Sequence, residues 1–104
     1  MAGRIGEARN LRDVLTIRDL TMDALAVIGR SDTATISKIV AGKARATPRT
    51  VVRLARGLGI SATRMQKLCD ASWRELEHPA PRGSEKLRQV DLAAIAAAEG
   101  VPVR

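Results

Sequence analysis

Hydroxyl and basic side chains between positions 33 and 43 are the groups best able to make directional hydrogen bonds. They are Thr33, Thr35, Ser37, Lys38 and Lys43. A hydroxyl both donates and accepts, whereas a lysine ammonium only donates. Held in a groove of DNA, such groups bind base edges or phosphate oxygens. The chemistry therefore depends on which elements hold them.

The stretch from Thr21 to Ala44 has the residue spacing of a helix-turn-helix, the unit that places one helix in a DNA groove. Ala26 falls where the two helices approach most closely, and its small side chain allows them to cross. Leu25, Ile36 and Ile39 supply apolar contacts beneath. This spacing predicts a DNA-binding regulator.

Capping residues predict where the second helix of this motif begins and ends. Asp32 can accept a hydrogen bond from an unpaired amide of the first turn, and Gly42 is placed to end the helix. The helix is therefore predicted to run from about Thr33 to Ala41.

Apolar residues at three- and four-residue spacing predict a five-helix core. The first helix is expected over about Ile5 to Arg18, and the second over Met22 to Ile28 with Thr21 as its cap. Thr47-Pro48 opens a fourth helix that Gly59 closes after Leu58, and Ser61 caps a fifth. The predicted apolar stripe of the fifth helix consists of Met65, Leu68, Cys69, Ser72 and Leu76.

Prolines and a glycine predict a break after this core. The segment 78–83 reads as a linker between a domain over 1–77 and a C-terminal helical segment over 84–104. In that segment Ser84 can cap a last helix through Ala98. We expect a separate element there.

Within the C-terminal segment one pattern repeats that of the motif. Ile95, Ala96, Gly100 and Val101 reproduce the spacing of Leu25, Ala26, Arg30 and Ser31. The segment is either half of a second helix-turn-helix, with no recognition helix after Arg104, or an alanine-rich packing or dimerisation helix.

The charge balance agrees with a polyanionic partner. The 104 residues include 18 Lys and Arg against 11 Asp and Glu, a net charge of +7. This charge attracts DNA over a screening length of ~8 Å at physiological salt, although it also serves solubility alone. Trp73 is the only aromatic residue, so base stacking of single strands is hard to build. Double-stranded DNA is the better partner.

Enzymatic chemistry finds little support in the residue types. Cys69 and His78 are the only cysteine and histidine, too few for a zinc site, and Cys69 falls on the apolar stripe rather than beside a base. A single cysteine and the absence of an apolar leader or a span of ~18 apolar residues predict a cytoplasmic protein without a membrane partner. No cofactor, metal or small-molecule substrate is indicated.

The motif and its flanks resemble the lambda-repressor-like family of Cro, phage immunity repressors and xenobiotic-response-element regulators. The resemblance covers about Asn10 to Ser61 and includes Leu25-Ala26, Thr35-Ile36-Ser37-Lys38-Ile39 and Gly42-Lys43. Leu11 and Val14 resemble the first helix of that family, and the run from Thr50 to Ile60 resembles its fourth.

The chain departs from this family at the turn. The usual glycine would fall at position 30, where this chain has Arg30 preceded by Gly29. Either the turn shifts by one residue or Arg30 adopts a left-handed conformation. Ser31 then occupies a position that is usually apolar.

The resemblance implies an all-α lambda-repressor-like DNA-binding domain with a C-terminal helical appendage, acting as a repressor that occludes a promoter. It implies base contacts from Thr33, Ala34, Ser37 and Lys38. It also implies phosphate contacts, which we expect from Thr35, Lys43, Arg45 and Arg49.

Members of this family commonly bind operator DNA as dimers on two-fold related half-sites, and we expect the dimer face on the fifth helix and the C-terminal segment. The alternative function is an antitoxin-type interaction module that neutralises a toxin and represses its own gene. The alanine-rich terminal helix is the feature that supports it. In a dimer, the face of that helix with Leu92, Ile95 and Ala96 is expected to pack against the second subunit.

Overall fold

The computed structural model describes residues 5–75 and 85–104. In these two ranges the chain forms a short 3₁₀ turn and six α-helices without a strand. The 3₁₀ turn is Ile5–Glu7, and the helices are α1 (Leu11–Arg18), α2 (Met22–Gly29), α3 (Thr33–Val40), α4 (Pro48–Leu58), α5 (Ala62–Arg74) and α6 (Glu85–Glu99). The all-α prediction is confirmed. The predicted linker 78–83, Leu76 and the predicted cap Ser84 lie outside the described residues.

Side-chain caps set the start of each of the helices α1 to α5. Thr21, Asp32, Thr47 and Ser61 each accept a hydrogen bond from the backbone N–H three residues later, as predicted. Asn10 does the same for Asp13, with an extended backbone at φ −151°. This cap was not predicted. The expected first helix over Ile5 to Arg18 is therefore wrong in its first half, because Asn10 begins α1 at Leu11.

The turn between α2 and α3 uses a left-handed arginine. Arg30 has φ 50° and ψ 46°, and the N–H of Ser31 donates to the carbonyl of Ala26 at 3.0 Å. An L-residue in this conformation costs roughly 1–2 kcal/mol. The preceding Gly29 is buried, and a Cβ there would lie 3.0 Å from Cδ2 of Leu54. An added Cβ at position 29 would therefore press on the Leu54 side chain, and the left-handed residue of the turn is Arg30.

Helix α4 is the centre of the core and packs against α2, α5 and α6. At Gly57 it lies close to α2, because an added Cβ there would collide with Cγ2 of Ile28. Leu25, Ala26, Ile36 and Ile39 of the motif are buried, as predicted. The largest buried side chains of the core are Leu11, Leu25, Ile36, Leu54, Met65, Leu68 and Leu92.

Helix α6 packs into this same core. Leu92, Ala96 and Val101 belong to the buried cluster and are 1%, 0% and 6% exposed. After the helix, the carbonyls of Pro102 and Val103 accept from the first-turn N–H groups of α5. The alanine-rich face was expected to meet a second subunit, and for Leu92 and Ala96 that expectation is wrong, because their own chain buries them.

The pattern shared by the two helix ends is a capping motif. Gly100 is left-handed at φ 71°, and the N–H of Val101 donates to the carbonyl of Ala96 at 2.8 Å, which matches the bond at Ser31. Val101 is buried, whereas Ser31 is half-buried. The repeated spacing thus corresponds to one way of ending a helix.

Candidate nucleic-acid interface

The sequence-predicted base contacts lie together on the outer face of α3. Thr33, Ala34, Ser37 and Lys38 are exposed, as is Thr35. The opposite face of the same helix carries Ile36, Ile39 and Val40, which are 0%, 2% and 2% exposed. Because the buried side is packed against the core, the exposed side is held rigidly. The helix presents a row of small hydroxyl, methyl and ammonium groups.

Asp32 closes the N-terminus of α3. Its carboxylate accepts from the N–H of Thr35 at 3.2 Å. Hydrogen bonds from the side chain and the backbone of Thr35 lower the pKa of Asp32, so the carboxylate stays ionised at neutral pH. With a negative charge already at this helix end, the first turn of α3 is a poor place for a phosphate.

A second carboxylate contacts α3 from the preceding helix. The hydroxyl of Thr33 donates to Oδ1 of Asp23 at 2.7 Å, and both residues are exposed. Asp23 stands in the first turn of α2. The sequence analysis did not identify Asp23 as part of this site. An acidic residue is unfavourable beside DNA, so its presence within the predicted motif could have indicated a role.

Two exposed basic side chains follow α3 along the chain. Lys43 is exposed in the segment that follows the helix, where Gly42 is left-handed at φ 79°. Arg49 is exposed in the first turn of α4. The predicted end of the recognition helix is correct to one residue, since the helix stops at Val40. The backbone N–H of Lys43 donates to the carbonyl of Lys38 at 2.8 Å, so Lys43 lies at the C-terminal end of α3.

Arg45 differs from the other predicted phosphate contacts. Its Nε and Nη2 lie 3.2 Å and 3.3 Å from the two carboxylate oxygens of Asp70 on α5. The two side chains are only 18% and 14% exposed. This ion pair ties the segment 41–47 to α5. The phosphate contact expected of Arg45 stays a prediction. Asp70 was missed because its partner is distant in sequence.

The same segment is held by α6. Arg88 donates to the carbonyl of Ala46, the buried residue that follows Arg45. The segment between α3 and α4, which carries Lys43, is thereby fixed by side chains of both α5 and α6. Helix α6 therefore helps to set the position of the segment that carries Lys43.

The one cysteine is placed as a core residue. Cys69 is 1% exposed, and burial raises the pKa of its thiol to about 12. A thiol in this state is a poor nucleophile at neutral pH. His78 lies outside the described residues. No group of three or more potential metal ligands occurs in the described part of the chain. None of the helices described is long and apolar enough to cross a bilayer.

Helix α3 packs against the core on one face, exposes a row of polar side chains on the other, and follows α2 after a tight turn. This arrangement defines a helix-turn-helix DNA-binding domain. The family model described as Helix-turn-helix matches residues 11–65, more than half of the chain. The protein therefore belongs to the helix-turn-helix family of the Cro and lambda-repressor type and is a DNA-binding transcriptional regulator. Comparison with curated proteins and with solved structures gave no match.

Proposed function

We propose that the protein is a sequence-specific repressor that occludes a promoter, of the kind temperate phages use for immunity. The observation that carries this proposal is the exposed row of Thr33, Ala34, Ser37 and Lys38 on a helix whose other face is buried. A helix of this type fits the major groove, and bound protein at a promoter blocks access to it.

Each proposed base contact follows from its side-chain chemistry. The ammonium of Lys38 donates to O6 and N7 of guanine. Ser37 binds either a donor or an acceptor, and the methyl groups of Ala34 and Thr33 contact the C5 methyl of thymine. These contacts carry the choice of sequence.

Lys43 and Arg49 are proposed to bind phosphates on either side of the groove. Both are exposed, Lys43 after the end of α3 and Arg49 in the first turn of α4, and phosphate contacts fix the register of the protein on the duplex without reading bases. Thr35 is proposed as a weaker phosphate contact than these two cations, because it lies in the first turn of α3 beside the carboxylate of Asp32. Arg45 is left out of this set because Asp70 binds it.

Two copies are proposed to bind one operator. The eight residues of α3 span about 12 Å, the length of three to four base pairs, which is too short to define a unique site. A homodimer on two-fold related half-sites doubles the sequence read. The regulator then acts where the cellular DNA is, in the cytoplasm.

The antitoxin alternative loses its main argument in this structure. It rested on an alanine-rich terminal helix available to a partner, and Leu92 and Ala96 of that helix are buried within the chain. We therefore retain the repressor.

The test is selection of bound fragments from random duplex DNA at fixed salt. We expect one palindromic site bound roughly 10³-fold or more tightly than random duplex, with log K falling linearly against log salt. A promoter overlapping that site should lose transcription in vitro when the protein is added, and a promoter with a scrambled site should not. Equal affinity for all sequences, or transcription that rises, contradicts the proposal.

A further inference from the structure

The hydroxyl of the first recognition-helix residue is engaged by a carboxylate of the neighbouring helix. Thr33 Oγ1 and Asp23 Oδ1 are 2.7 Å apart, a normal distance for a hydroxyl donating to a carboxylate. The bond joins α2 and α3 at their exposed surface, beside the turn. It adds an interaction between the motif helices outside the apolar contacts of the core.

This bond decides what the hydroxyl can still do. An ionised carboxylate only accepts, so Thr33 must be the donor, and a hydroxyl has a single proton. Once that proton is directed to Asp23, the remaining capacity of Thr33 is to accept through its oxygen lone pairs. Thr33 is therefore an acceptor toward any ligand in front of α3.

In the major groove, only two bases offer a matching donor. Adenine presents its N6 amine and cytosine its N4 amine, whereas guanine presents O6 and N7 and thymine presents O4. An acceptor facing another acceptor gains no bond and repels it. Because the A·T pair also carries the thymine methyl group, it fits both the oxygen and the methyl group of Thr33.

We propose that Asp23 is a positioning residue that sets base choice by making Thr33 read an exocyclic amine, adenine N6 before cytosine N4. This inference rests on the proposed function, in which α3 lies in the major groove. The carboxylate of Asp23 repels the DNA polyanion, which weakens binding to every sequence alike. The same residue increases discrimination against guanine and thymine at one position.

The experiment measures binding of the full chain to a set of duplexes that carry each of the four bases at each operator position. Wild-type protein should prefer adenine or cytosine to guanine or thymine at one position. Thr33→Val, which removes the hydroxyl and keeps a methyl group, should abolish that preference for an exocyclic amine. Asp23→Ala should reduce the same preference about fivefold, since one hydrogen bond contributes on the order of 1 kcal/mol. In the Thr33→Val background, Asp23→Ala should change no base preference.

Two controls separate this role from charge and from folding. Asp91→Ala removes an exposed carboxylate from α6 and should leave every base preference unchanged. Thr33→Ser keeps the hydroxyl and should keep the preference for an amine while losing the methyl contact. Melting curves identify variants that do not fold, and Thr33→Val tests the reading of the base without altering Asp23.

The outcomes distinguish this inference from the proposed function. If no sequence is preferred at any position, the proposed function itself fails. If the protein selects an operator but Thr33 faces guanine or thymine, or Asp23→Ala leaves its base preference intact, the role of Asp23 is overturned while the function stands.

Discussion

Arg45 and Asp70 form a two-point ion pair between the segment that follows the recognition helix and α5, with N–O distances of 3.2 Å and 3.3 Å. Both side chains are largely shielded from water. The pair ties the segment that carries Lys43 to α5. The position of Lys43 therefore depends on a contact outside the recognition helix.

Replacing Asp70 by asparagine should lower the free energy of unfolding by about 1–3 kcal/mol, because the guanidinium of Arg45 is left half-paired where water cannot fully replace the lost oxygen. Urea denaturation measures this change. Asp91→Asn, at an exposed position, is the matched control and should change stability by no more than about 0.5 kcal/mol. An equal effect of both variants would mean that the ion pair contributes nothing specific.

Lys38→Ala and Lys43→Ala should weaken DNA binding in different ways. Loss of Lys38 should cost about 1–3 kcal/mol at the preferred site and relax the choice of one base, since its ammonium is proposed to bind guanine. Loss of Lys43 should weaken all sequences alike and reduce the salt slope by about one. Titrations at several salt concentrations separate the two.

Lys67→Ala provides the charge control for these variants, because Lys67 is exposed on α5. It should alter neither base choice nor the salt slope appreciably. If Lys43 relaxed a base preference and Lys38 did not, the assignment of roles to the two lysines would be reversed.

Arg30→Gly should raise the thermal stability. Glycine adopts the left-handed conformation of the turn without steric cost, and the net gain should be about 1 kcal/mol after its greater unfolded-state entropy is subtracted.

Gly59→Ala is the converse variant. Nothing lies within 4 Å of an added Cβ there, so backbone strain at φ 71° alone should reduce stability by about 1 kcal/mol. A loss of stability in Arg30→Gly would show that the arginine side chain has a stabilising contact.

Leu92→Ala should destabilise the whole domain by about 2–5 kcal/mol, because Leu92 is 1% exposed in the core shared by α4, α5 and α6. Val90→Ala on the same helix, at a side chain 64% exposed, should have little effect. Calorimetry should give one transition in both variants. A separate transition for α6, or an unchanged melting temperature in Leu92→Ala, would show that the helix is not part of the core.

The sequence alone determined the features whose partners are close along the chain. Thr21, Asp32, Thr47 and Ser61 could be assigned as caps because each bonds an amide three residues away. The helical periodicity around Ile36 likewise separated the buried face of α3 from its exposed one. The position of the DNA-reading helix and the order of its exposed side chains followed from these local rules.

Only the tertiary structure decided the features whose partners are distant in sequence. Gly29 packs closely against Leu54, and the left-handed residue of the turn is Arg30. Arg45 is bound by Asp70 on α5, and Leu92 is buried by its own chain instead of a second copy. The type of a residue, charged or apolar, indicates the kind of group it will contact. Which residue supplies that group depends on how the helices pack, and the spacing of residues along the chain does not determine this packing.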